Sequence, residues 1–75
     1  MNPRERLQQA QKWLQDGASA RKAGDETGAR ERISRALKAF EALGHPRGIV
    51  LSTHHLGLTE YQFGRFDAAI RWFER

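Results

Sequence analysis

The chain has 75 residues, a formal net charge of +4 at neutral pH and no cysteine. A chain of this length forms one small domain that buries only about 60–65% of its unfolded surface. Without cysteine it has neither a disulfide framework nor a thiolate metal site. The chain starts with polar residues and has no apolar run near the roughly 18 residues of a membrane span, which argues against a signal or membrane segment. We therefore expect a cytoplasmic protein that does not bind a membrane.

The first half of the chain predicts two helices. Asn2 can cap the first helix, with Pro3 in the first helical position, where its missing N–H has no cost. Apolar residues then recur at spacings of three and four until the helix ends near Gly24. Asp25 is a candidate N-cap for the second helix, and Gly44 should end it because glycine allows the left-handed C-terminal conformation.

The second half predicts two more helices after the segment "LGHPRG". Pro46 prevents the second helix from continuing. A third helix is predicted over about 47–63 and a fourth from about 66 to the end. No stretch alternates apolar and polar residues with period two, so nothing predicts a strand. The expected fold is all-α, with four helices forming two hairpins in a single domain over 1–75.

The two hairpins repeat each other at a distance of 40 residues. Sliding the chain by this distance superimposes four pairs: Gly17 on Gly57, Gly24 on Gly64, Ala29 on Ala69, and Ile33 on Phe73. A glycine inside a helix costs about 1 kcal/mol relative to alanine, so Gly17 and Gly57 require a packing reason. We predict that the partner helix approaches closely at both positions. The repeats are placed at about 3–43 and about 47–75.

Both copies fit one motif. The second copy contains Leu56-Gly57, Tyr61, Gly64-Arg65-Phe66-Asp67, Ala69-Ile70 and Phe73, and the first contains Trp13, Gly17, Gly24-Asp25, Ala29, Ile33 and Ala36. This pattern resembles the tetratricopeptide repeat, in the variety with about 40 residues per repeat. Trp13 and Ala36 match the family's first-helix tryptophan and late second-helix alanine. Thr53 and Glu60 depart from the pattern, because the family has a tryptophan and an aromatic residue there.

The resemblance implies a scaffold that binds a peptide or another protein. Stacked hairpins of this family form a right-handed solenoid, and the first helix of each hairpin lines a groove. The groove positions that the resemblance implies are Gln11, Leu14, Gln15, Ala18 and Lys22 from the first helix, and Leu51, His54, His55, Leu58, Tyr61 and Gln62 from the third. Tyr61 is the expected anchor, since aromatic residues with a polar tip dominate binding hot spots. The sequence does not identify the partner.

No residue pattern predicts catalysis, a cofactor or a metal site. The serines do not lie in a strand-turn-helix nucleophile elbow, and the glycines form no phosphate-binding loop. His54 and His55 are adjacent and point about 100° apart, whereas two helical ligands require a spacing of four. We therefore expect a protein that is not an enzyme and that has no cofactor.

The alternative hypothesis is a nucleic-acid-binding or transcription-regulator module. Its basis is the basic second helix, which contains Arg30, Arg32, Arg35 and Lys38. Phosphate-driven binding usually requires a denser basic surface, so this alternative is the less favoured one. Three acid–base pairs at a spacing of four are expected to stabilise their helices instead: Glu26–Arg30, Glu31–Arg35 and Asp67–Arg71.

The fourth helix contains large apolar side chains that only the third helix can cover. These residues are Phe66, Ile70, Trp72 and Phe73. Repeat proteins bury their core between neighbours, so a second chain is expected to provide the missing cover. We expect a homodimer that is either face to face or domain-swapped, with the swap straightening the chain at Gly64. Whether the chain is complete or part of a longer array is left open.

Overall fold

The computed structural model describes residues 2–75 as four α-helices. These are α1 (Pro3–Lys22), α2 (Glu26–Leu43), α3 (Pro46–Gln62) and α4 (Phe66–Phe73). Residues 2–75 contain no strand. The predicted all-α fold with four helices in two hairpins is therefore confirmed. The predicted helix ends are correct to within one or two residues.

Among residues 2–75, three of the four helices begin at a side-chain cap, and α4 has none. The Asn2 side chain accepts a hydrogen bond from the Glu5 N–H at 2.8 Å, and the Asp25 side chain accepts one from the Gly28 N–H at 2.9 Å. Both caps are as predicted. The third helix has a cap that the sequence did not predict, since Nδ1 of His45 accepts a hydrogen bond from the Gly48 N–H at 3.0 Å.

The turns inside the two hairpins have the same backbone conformation. Gly24 has φ of 82° and Gly64 has φ of 83°, in the left-handed region that favours glycine. The N–H after each glycine donates to a carbonyl five residues earlier, at 2.9 Å from Asp25 and 2.8 Å from Arg65. The 40-residue repetition in the sequence is thus also a repetition in structure. The turn at Gly64 folds α4 back on α3 of the same chain, which is the unswapped arrangement.

In each hairpin the two helices approach each other closely at a glycine of the first helix, as predicted. A methyl group built at Gly17 would lie 2.5 Å from Cγ1 of Ile33 and 3.0 Å from its backbone nitrogen. A methyl group at Gly57 would overlap the ring of Phe73. The two bulky partners are themselves 40 residues apart. The same close contact between a glycine and a large side chain therefore holds both hairpins together.

The core lies along α2, which packs between α1 and α3, while α4 packs against α3. One buried cluster comprises Ala29, Ile33, Leu37 and Leu56, and a second comprises Ala10, Ala36 and Phe40. Trp72 is half-buried and packs against the first cluster. The expected role of Trp72 in self-association stays a prediction, but part of its surface is already covered within the chain. The reason is helical spacing, since Ala69 and Trp72 lie three residues apart on the face of α4 that points to the core.

We predict that Gly17→Ala destabilises the protein. In an ordinary helix this change stabilises by about 1 kcal/mol. Here the new methyl group would be forced against Ile33, and such overpacking costs about 1–3 kcal/mol. Urea unfolding followed by circular dichroism at one fixed protein concentration measures the difference. Ser19→Ala, at an exposed position of the same helix, is the control and should change the stability by less than about 0.5 kcal/mol. A stabilised Gly17→Ala variant would contradict the close approach of α1 and α2.

Candidate interaction surfaces

A cleft of about 550 Å³ separates α1 from α3. Four of the predicted groove residues line it together: Gln11, Leu14, Gln15 and Leu51. Its remaining lining comes from Phe40 and from the start of α3, with His45, Arg47 and Gly48. The cleft therefore combines apolar side chains, two amide side chains, one imidazole and one guanidinium group.

Beyond the cleft, hydrogen bonds join the C-terminal ends of α1 and α3. Nε2 of Gln62 donates to the Arg21 carbonyl at 2.8 Å, and a guanidinium nitrogen of Arg21 donates to Oε1 of Gln62 at 3.3 Å. Gln62, a predicted groove residue, thus joins the ends of α1 and α3. Lys22 is exposed beside this connection. Leu58 and Ala18 are half-buried.

His55 lies on the same flank of α3 as Leu51, four residues further along the helix. Burial lowers the pKa of His55 below its ordinary value, and the positive charges of Arg21, His54 and Lys22 lower it further. Nδ1 of His55 is buried and has no hydrogen-bond partner among residues 2–75. The neutral form of this imidazole is therefore favoured in the folded chain.

His54 and Tyr61, which the resemblance assigned to the groove, lie on another flank of α3. The ring of His54 is 5.6 Å from that of Phe73, and the ring of Tyr61 is 5.4 Å from that of Phe66, measured between centroids. Both therefore contact α4 instead of the cleft. They are seven residues apart and share one flank, about 60–80° around the helix from Leu51.

These residues belong to a continuous exposed surface at the end of the stack. We call this surface the end face and define it by six residues: Val50, His54 and Tyr61 of α3, and Phe66, Ile70 and Phe73 of α4. Its five large hydrophobic or aromatic members other than His54 each expose 48–66% of their surface. Three of the four residues predicted for self-association are members, and Trp72 is not.

A buried ion pair joins the two hairpins, and sequence reasoning missed it. Glu60 is only 5% exposed, and its carboxylate accepts a hydrogen bond from Nε of Arg30 at 2.8 Å. Arg30 also pairs with Glu26 at 2.9 Å, and Glu26 contacts Arg65 at the start of α4. The one signal in the sequence was Glu60 itself, an acid where the repeat pattern has an aromatic residue.

The basic residues of α2 are partly neutralised. Arg30 is engaged by Glu60 and Glu26, and a guanidinium nitrogen of Arg32 lies 3.8 Å from the Asp25 carboxylate. Arg35 and Lys38 are exposed. Of the three predicted acid–base pairs, Glu26–Arg30 forms an ion pair, and within residues 2–75 Glu31–Arg35 and Asp67–Arg71 do not. Half of the basic set is therefore already bound to acids of the same chain.

No three His, Asp or Glu side chains of residues 2–75 are grouped in a way that could hold a metal ion. Over the same residues, no helix combines the length and the apolar character needed to cross a membrane. Comparisons with protein-family models, with curated proteins and with solved structures gave no match to this chain. The resemblance to the tetratricopeptide repeat accordingly rests on the chain's own residues.

We predict that removing the charge of Arg30 from the buried ion pair costs more stability than removing the charge of Glu60. Arg30→Gln leaves the deeply buried Glu60 carboxylate without its cation and should cost about 2–3 kcal/mol of stability. Glu60→Gln leaves a guanidinium that is one-third exposed and still paired with Glu26, and should cost about 1 kcal/mol. Urea unfolding at pH 7 compares the variants, with Arg35→Gln as an exposed control. Equal costs for the two changes would contradict this asymmetry.

We predict that acidification destabilises the protein through His55. The lowered pKa means that the unfolded chain takes up a proton at a higher pH than the folded chain does. Stability is therefore fully present above the ordinary pKa of 6.5 and decreases as the pH falls below it. Between pH 7.5 and 5, the free energy of unfolding should fall further in the wild type than in His55→Gln. His54→Gln, which leaves His55 in place, should retain most of the loss. Equal losses in the wild type and His55→Gln would refute the assignment.

Proposed function

We propose that this chain is a non-enzymatic scaffold for protein–protein interaction. In this proposal the cleft between α1 and α3 binds an extended segment of a partner protein, and the chain also associates with itself through the end face. The observation that carries the proposal is the cleft, in which two hairpins bring together side chains that are far apart in the sequence. Gln11 and Leu51 line it from opposite walls.

The composition of the cleft suits a peptide. Leu14 and Leu51 offer apolar surface to a side chain, while the amides of Gln11 and Gln15 can both donate to and accept from a peptide backbone. Ligand sites typically combine such an apolar lining with a few polar groups that fix orientation.

The charge of the cleft favours an acidic segment. Arg47 lines the cleft, and Arg21 and Lys22 lie near His55, one turn of α3 beyond Leu51. No carboxylate lines the cleft within the described residues. The acids of its two helices are used elsewhere: Glu5 beside the cap at Asn2, Asp16 with Lys12, and Glu60 with Arg30.

The distance between these cations determines which peptide positions suit acidic residues. Arg21 and Lys22 lie near the neutral His55, which is eight residues from Arg47 on α3, on the order of 12 Å along a helix. An extended peptide covers this distance in about four residues. Two Glu side chains at a spacing of four would therefore reach Arg47 and the cations near His55, with an apolar residue between them facing Leu14 and Leu51.

Peptide binding measured by fluorescence anisotropy tests this proposal. The probe is a labelled, C-amidated peptide containing Glu-Ala-Leu-Ala-Glu, and the matched peptide has Gln in place of both Glu. We expect the acidic peptide to bind more tightly, and Arg47→Gln to weaken its binding about two- to fivefold, as loss of an exposed charge pair does. Lys38→Gln removes the same charge from the outside of α2 and should leave binding unchanged.

Two results would count against the proposal. Failure of both peptides to bind would remove the cleft as a peptide site. Tighter binding of a single-stranded oligothymidylate than of the acidic peptide, weakened by Lys38→Gln and not by Arg47→Gln, would favour the nucleic-acid alternative. The structure supports that alternative weakly, because Arg30 and Arg32 of α2 already pair with acids of the same chain.

A further inference from the structure

The first hairpin packs against the second through one of its surfaces. The end face is formed by the corresponding residues of the second hairpin, each 40 positions later in the sequence. Its six residues Val50, His54, Tyr61, Phe66, Ile70 and Phe73 correspond to Ala10, Leu14, Arg21, Glu26, Arg30 and Ile33. Three of the corresponding residues bond directly to the second hairpin: Arg21 to Gln62, Glu26 to Arg65, and Arg30 to Glu60. The other three lie in or against the buried clusters to which Leu56 and Ile49 of α3 contribute.

Corresponding positions differ sharply in exposure. Ile33 is fully buried, whereas Phe73 exposes 48% of its surface. Ala10 is fully buried, whereas Val50 exposes 66%. The end face thus has the geometry of a contact surface of this fold, and among residues 2–75 no further helix packs on it.

The chemistry of the two surfaces also differs. The polar positions of the first hairpin, such as Glu26 and Arg30, are Phe66 and Ile70 in the second. With about 150–250 Å² per aromatic side chain, the exposed apolar part of the end face is on the order of 500 Å². This is near one-tenth of the total accessible surface of 4985 Å². Stable interfaces typically cover about that fraction of a small protein.

We propose that the end face of one copy packs against the end face of a second copy, in a closed two-fold dimer. The proposal rests on the self-association included in the proposed function and specifies its geometry. Each copy contributes the same residues, so both apolar surfaces are covered in one contact. The exposed charges beside the end face on α4, Asp67, Arg71 and Glu74, include both signs, which allows opposite charges to meet across a two-fold contact.

A head-to-tail contact is the alternative, and the opposite end of the stack is poorly suited to it. There the positions that correspond to Ile49 and Leu56 are Gln9 and Asp16. Asp16 forms an exposed ion pair with Lys12 at 3.3 Å. An apolar end face laid on this surface would remove the ion pair from water without replacing its hydrogen bonds. The nearest apolar feature is a pocket of about 250 Å³ lined by Trp13, Ala42 and Leu43, too small to cover six residues.

The two arrangements differ in how large the assembly grows. A two-fold contact uses the same surface of both copies and closes at two chains, whereas a head-to-tail contact leaves a free end and continues. Sedimentation equilibrium over a range of protein concentrations distinguishes them. We expect the mass to rise from that of the 8.6 kDa monomer to a plateau at two chains.

Two variants with the same change of charge locate the contact. Ile70→Glu places two carboxylates in one two-fold interface and should weaken association about 100-fold or more. Ala42→Glu adds the same charge to the apolar pocket at the opposite end and should leave the mass unchanged. Circular dichroism verifies that both variants remain helical, and Tyr61→Glu repeats the test from α3 should Ile70→Glu unfold.

The possible failures separate the inference from the proposal it rests on. A monomer mass for the wild type at all concentrations, up to the millimolar range, would overturn both the closed dimer and self-association. A mass that keeps rising beyond two chains and is reduced by Ala42→Glu would overturn only the two-fold arrangement and would leave self-association standing.

Discussion

The contact between a helical glycine and a large side chain fixes the geometry of both hairpins, and the rest of the structure depends on it. Ile33 packs against Gly17, and Phe73 packs against Gly57. Because the two contacts are equivalent, both hairpins have the same kind of lateral surface, on which a further helix can pack. In the first hairpin that surface is covered by α3. In the second it is the end face.

α3 contributes residues to both the cleft and the end face, because adjacent residues of a helix point about 100° apart. Leu51 lines the cleft, and its neighbour Val50 belongs to the end face. His55 faces the charges at the end of α1, and its neighbour His54 packs against Phe73. Association through the end face would therefore leave the cleft of each copy open. A dimer would carry two clefts, and a partner with two acidic segments could bind both at once with increased avidity.

Local signals in the sequence were sufficient to predict the helices. The features that the sequence did not predict depend on tertiary contacts. The caps at Asn2 and Asp25 act between residues three apart, so the sequence displays them directly. Glu60 and Arg30 are 30 residues apart, and no local pattern predicts their contact. Tyr61 was assigned to the groove from a family pattern. In this chain Phe66 stands within reach of Tyr61 and pairs with it on the end face.

The lateral surface of the first hairpin is partly charged and the end face is mostly apolar. The first suits a contact within one chain, and the second suits a contact between two chains. Between the hairpins of one chain, proximity is guaranteed by the linker, so a buried ion pair such as Glu60–Arg30 can set the register even though its net contribution to stability is small. Between two chains, the contact must offset the loss of translational and rotational freedom, which costs about 4–15 kcal/mol. The exposed apolar surface of the end face, on the order of 500 Å² per copy, is the part of the chain whose burial can offset this cost. The α3–α4 hairpin, which has no second neighbour among residues 2–75, should therefore be stabilised by the same contact that brings two copies together.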